Sequence, residues 1–108
     1  EAFKRKDYGT ALDYSDKVIH QNPDAFQGYL ARGTTLMAQR DTEGALAAFN
    51  AADEHRPPLN FRGYIEFKRC GVYSTRGEKD EVIACLRRSA SLGYEQAKFQ
   101  LRMAGLSE

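Results

Sequence analysis

The sequence predicts an all-α chain, in which antiparallel helical hairpins stack into a superhelix closed by a C-terminal capping helix. Three observations predict it. Asp7 and Asp41, Ala11-Leu12 and Ala45-Leu46, and Pro23 and Pro57 each stand 34 residues apart, and self-similarity at a fixed period of this size marks a repeat architecture. Small residues (Gly33, Ala45, Ala52) recur among bulky ones (Tyr29, Leu36, Leu46, Phe49) at helical spacing, so that two helices can approach closely while the space between them is filled. No stretch alternates apolar and polar residues long enough to form a strand.

Taken in order, the elements are one partial repeat, two further repeats and a cap, all in a single domain over residues 1–108. Residues 1–25 read as the second half of a repeat. A helix is expected from Tyr8 or Gly9 to Gln21, ended by Asn22-Pro23 because proline lacks the N–H that a helix needs. The six residues before Asp7 make less than two turns, so they are expected to be the end of a helix whose beginning is missing, with Phe3 docked on Tyr8 or Ala11. Ser15 stands where the next repeat has Phe49, and Tyr14 is expected to take over its aromatic role. Residues 26–59 are a full repeat. Its helices break at Gln39-Arg40-Asp41, it ends at Pro57-Pro58, and Gly33, but not Gly28, is expected at the helix crossing. Residues 60–93 are a degenerate repeat with its turn at Gly77-Glu78. Cys70 takes the small slot, Tyr73 the aromatic one, and Val82, Leu86 and Ser89 the places of Ala45, Phe49 and Ala52. The turn comes about two residues late, so a longer loop is expected over residues 57–60, with Asn60 as the N-cap of the next helix. Gly93 closes the repeat in a left-handed conformation. Residues 94–108 supply the cap, with Tyr94, Ala97, Leu101 and Ala104 at helical spacing and charges between them. Its outer side is polar through Glu95, Lys98, Gln100 and Arg102, and Gly105 ends it.

The middle repeat reads Tyr29-x2-Arg32-Gly33-x2-Leu36…Ala45-x3-Phe49…Pro57. This resembles the tetratricopeptide repeat, whose signature is aromatic-x2-Leu-Gly-x2-Tyr…Ala-x3-Phe…Pro. Arg32 stands in place of the usual leucine and Leu36 in place of the usual tyrosine. The resemblance covers almost the whole chain and is most specific over residues 7–57. It implies a concave groove, lined by the first helix of each repeat, that holds a peptide segment of a partner protein. Carried over position by position, the groove residues are Gln27, Leu30, Thr34, Met37 and Ala38 in the middle repeat. In the third they are Tyr64, Phe67, Lys68, Gly71, Ser74 and Thr75, and Phe3 and Lys4 remain from the first. The mixture of Leu30, Met37 and Phe67 with Lys68 suits a peptide with one or two apolar anchors and an acidic group. The branch of the family that clamps the C-terminal carboxylate of heat-shock chaperones needs an asparagine at about the position of Ala31, so that specificity is disfavoured.

Composition sets the remaining expectations. The net charge of +1 lacks the basic excess of a nucleic-acid or membrane-surface domain. Residues 60–108 do carry 9 basic against 6 acidic groups, which reads as a solvated helix face. There is no apolar run of membrane-spanning length and no signal peptide, so a cytoplasmic, intracellular location is expected. Two cysteines are too few for a disulfide framework. Cys70 and Cys85 fall on facing helices of one hairpin and read as small buried thiols, which could pair only if the helix register permits. His20 and His55 fall near helix C-termini, where a cation is favoured, and no second histidine or cysteine stands at zinc-ligand spacing. No nucleophile elbow, phosphate loop or shared carboxylate cleft is present, so no catalytic residue, metal or cofactor is expected. The function expected is a non-catalytic protein-interaction scaffold. The alternatives are a structural segment of a longer array, self-associating as a homodimer through its N-terminal end, or a regulatory domain of a larger protein.

Overall fold

The computed structural model describes residues 7–106. Among them are six helices and no strand: α1 (Tyr8–Gln21), α2 (Gln27–Ala38), α3 (Thr42–Glu54), α4 (Leu59–Thr75), α5 (Lys79–Ser91) and α6 (Glu95–Met103). They form two compact units, divided along the chain between Pro57 and Pro58, at the proline pair where the second repeat was expected to end. Phe3 and Lys4 lie outside the described residues.

In the first unit α2 packs against both α1 and α3. Two glycines make this possible. A Cβ on Gly33 would stand 2.6 Å from the Phe49 ring, and one on Gly28 would stand 2.6 Å from Ile19 Cγ1 and 3.1 Å from the Ile19 backbone nitrogen. Gly28 is therefore a crossing slot as well, against α1, contrary to the expectation that Gly33 alone occupies one. Phe49, Ala45 and Ala52 are fully buried and Phe26, Leu36 and Ala48 nearly so. The α2–α3 turn closes through Arg40 N–H donating to Met37 O and Asp41 N–H donating to Leu36 O, both at 2.9 Å, with Arg40 in the left-handed region at φ 64°. Asp41 caps α3 by accepting from Gly44 N–H at 2.9 Å. Tyr14 does not replace the missing aromatic of α1. It is 65% exposed, while Ser15 is 1% exposed and donates its hydroxyl to Ala11 O at 3.0 Å. The helix period puts residue 15, not 14, on the buried face, so the slot holds a small side chain that satisfies itself on its own helix.

In the second unit α5 packs against α4 and α6. Its core cluster is Cys70, Cys85, Leu86, Ala90, Ala97 and Leu101, with Phe67, Tyr73, Val82, Tyr94 and Leu106 packed against it. Three expectations are corrected here. The longer loop is absent: Leu59 and Asn60 form the first turn of α4, the N-cap position is Pro58, and the Pro58 carbonyl accepts from Phe61 and Arg62 N–H at 2.8 and 3.1 Å. Proline is tolerated there because its missing donor lies ahead of the hydrogen-bonded ladder. The extra residues thus lengthen the helix, to 17 residues in α4 against 12 in α2. The second helix of the hairpin begins at Thr42 in one unit and Lys79 in the other, a later turn than the two-residue delay expected. Finally, the outer side of α6 is not wholly polar, since Phe99 is 50% and Met103 72% exposed. Gly93 (φ 91°) ends α5 in the left-handed conformation expected of it, and Gly105, expected to end α6, also stands in the left-handed region at φ 75°.

Candidate functional site

Of the groove residues expected from the sequence, five lie on α2 and six on α4. The turns that pack on α1 and α3 use Gly28, Gly33, Thr35 and Leu36, all buried. Gln27 and Ala38 are exposed and Leu30, Thr34 and Met37 half-buried. At 100° per residue, Gln27, Leu30, Thr34, Met37 and Ala38 occupy one arc of the helix, away from the two glycine slots. The Thr34 hydroxyl donates to Leu30 O at 3.0 Å, so this face presents a methyl group at Thr34 in place of a free hydroxyl. Beside it Ala11, Tyr14, Ser15, Ala31, Thr34 and Thr35 enclose a mainly apolar recess of about 340 Å³. The exposed Tyr14 is thus a member of this face that the sequence reading had assigned to the core.

On α4 the expected residues are more engaged. The Phe67 ring lies 5.1 Å from that of Tyr94, tilted by 43°, and is half-buried. Lys68 Nζ stands 5.8 Å from the centre of the Tyr64 ring, within the range of a cation–π contact. Partial burial raises the Tyr94 phenol above its ordinary pKa, and the nearby Tyr64 adds to the effect. Phe67, Gly71 and Ser74, with Val82 and Gln100, line an opening of about 300 Å³ that has Cys70 in its wall.

Cys70, in the wall of that opening, belongs to a cluster whose ion pairs have no counterpart in the sequence expectations. Glu66 is buried on the inner side of α4. Its carboxylate accepts from Arg88 Nε on α5 at 2.9 Å and from Arg69 Nη1 at 3.1 Å. Cys70 and Cys85 are bonded to each other with their Cα atoms 5.5 Å apart, so the register does permit pairing, at a separation typical of disulfides. Glu66 O lies 3.2 Å from Cys70 Sγ and 3.0 Å from Cys85 Sγ. The signal in the sequence was Glu66 inside the apolar run Ile65–Phe67, with Arg69 and Cys70 following at helical spacing.

The opposite side of the first unit has its own recess of about 500 Å³ with a mixed lining, in which Asp16, Arg32 and Asp41 stand beside Ile19, Tyr29 and Leu36. Arg32, one of the two departures from the repeat signature, reaches across to Asp16 on α1 at 2.6 Å. Tyr29 stacks on His55 with ring centres 4.6 Å apart. His55 is the C-cap residue of α3, and its Nδ1 hydrogen-bonds to Ala51 O at 2.7 Å. The described residues contain no group of three or more candidate metal-ligating side chains, and no helix among them is long and apolar enough to cross a membrane. No family model, curated protein or solved structure matches the chain.

Proposed function

We propose that the chain is a tetratricopeptide-like, non-catalytic interaction module that binds a peptide segment of a partner protein. In this reading the hairpins belong to a superhelical array and the partner lies along the first helix of a hairpin. The observation that carries it is the face of α2. Leu30, Thr34 and Met37 stay half-exposed on a helix held on both flanks by glycine slots, and the exposed Tyr14 and an apolar recess adjoin them. A rigid helix with apolar positions at i, i+4 and i+7 offers anchors without an ordering cost of its own. Selection from a displayed peptide library tests this. The natural chain should enrich sequences carrying an apolar anchor, and Leu30→Arg and Thr34→Arg should lose them at unchanged helix content. Identical enrichment by both chains, or none by either, would sink the proposal.

A second reading, association with another helical element, is favoured by one observation. Phe99 and Met103 stand four residues apart and exposed on α6, which places two large apolar side chains on one outward stripe. If this reading holds, the mass in solution measured by light scattering exceeds that of the monomer and falls to it on Phe99→Glu.

A further inference from the structure

We propose that Cys70 and Cys85 form a reversible thiol–disulfide site, entered at Cys70 and responsive to low-molecular-weight disulfides of the glutathione class. It is independent of the peptide-binding reading. The two cysteines stand on neighbouring helices where the first unit has Gly33 and Ala48, both 37 residues earlier, in the slot of closest helix approach. Cα atoms 5.5 Å apart there allow a bond without backbone movement. The reduced state is provided for as well, because one acceptor, Glu66 O, lies within reach of both Sγ atoms. That carbonyl already accepts the Cys70 N–H of the helix ladder, so its second lone pair can take one S–H, and Glu66 Oε2, 3.4 Å from Cys85 Sγ, can take the other.

Access distinguishes the two sulfurs. Cys85 is fully buried, whereas Cys70 is 4% exposed and forms part of the wall of the opening beside Phe67, Gly71 and Ser74. The exchange therefore begins at Cys70. Its thiolate attacks one sulfur of the small disulfide, the S–S bond of that molecule breaks, and one thiolate leaves. Cys85 then attacks Cys70 Sγ in the mixed disulfide and displaces the second thiolate. Glu66 Oε2, 3.4 Å from Cys85 Sγ, is the acceptor positioned for the Cys85 proton. In total the chain loses two electrons and two protons, and the small disulfide becomes two thiols.

The experiment uses the full chain, first reduced and freed of reductant, then equilibrated in glutathione buffers of graded ratio, quenched with acid, alkylated and weighed intact. Two alkyl groups are expected at the reducing end and none at the oxidising end, with the loss of two hydrogens. Cys85→Ser should accumulate one glutathione adduct on Cys70. Cys70→Ser should gain its adduct on Cys85 roughly tenfold more slowly, because a buried thiol is shielded from attack. Circular dichroism confirms that the two variants are equally helical, and Cys70→Ala replaces Cys70→Ser if that variant unfolds. Alkylation of both cysteines at every ratio would overturn the site, and equal adduct rates in the two single variants would overturn entry at Cys70.

Discussion

Phe49 shows how much one side chain decides in a unit this small. Its ring is fully buried and lies against the space where Gly33 has no Cβ, so truncation leaves a cavity walled by backbone that cannot collapse into it. Phe49→Ala is expected to cost about 3–5 kcal/mol by urea titration, and a loss under about 1 kcal/mol would mean that the ring does not fill the crossing. The glycines test the same contact from the other side. Gly33→Leu and Gly28→Leu should both destabilise by at least about 1–3 kcal/mol, since each meets a neighbour within 2.6 Å before the side chain extends further. An effect at Gly33 alone would show that α1 does not press on α2 as described. The Phe49–Gly33 contact was legible because its spacing is diagnostic of a hairpin. The Gly28 contact was not, because it depends on α1, whose own packing slot holds Ser15 and carries no large residue to announce it.

At the scale of the element, helix interiors were far more legible than helix ends. The limits of α1 and the turn at Arg40 followed from prolines, capping residues and period. The start of α4 did not, since Leu59, Asn60 and Phe61 fit a loop or a helix equally and the outcome depends on Pro58 serving as a cap. The turns also differ in cost. Arg40 and Arg56 hold positive φ in the first unit where Gly77 and Gly93 hold it in the second, and a residue with a Cβ is disfavoured in that region by roughly 1–2 kcal/mol. Arg40→Gly is therefore expected to stabilise the chain by about 0.5–1 kcal/mol after the greater entropy of an unfolded glycine is deducted, read as a higher urea midpoint. A lower midpoint would mean that the Arg40 side chain contributes more than its backbone costs. For the hairpin of α4 and α5, the Cys70–Cys85 link closes a chain segment of 15 residues. Reduction should lower stability by about 3 kcal/mol on the chain-entropy account, and an unchanged midpoint with and without reductant would contradict it. The ion pairs of Glu66 with Arg69 and Arg88 were not legible as a network, because it arises only when α5 brings Arg88 alongside.

For the whole molecule, composition and charge speak more directly than any contact. With 16 basic and 15 acidic side chains and a pI near 8.0, the chain carries little repulsion to keep copies apart at mildly basic pH. Exposed Tyr14, Leu59, Phe99 and Met103 offer apolar contact, so scattering at fixed concentration should be greatest near the pI and fall as the pH is moved away from it and net charge builds up. A flat profile would show that apolar contact does not govern association. The repeated hairpin also has a consequence for where the chain tolerates change. The same interval separates Arg40 from Arg56 as separates Gly77 from Gly93, and α3 and α5 are both 13 residues long, whereas α2 and α4 differ in length only toward their N-terminal ends. Inserted residues can therefore be absorbed as extra turns just after Pro58. The same insertion between a left-handed turn and the next would rotate the buried face of the second helix out of its slot, so the hairpin is extensible at one end and fixed at the other.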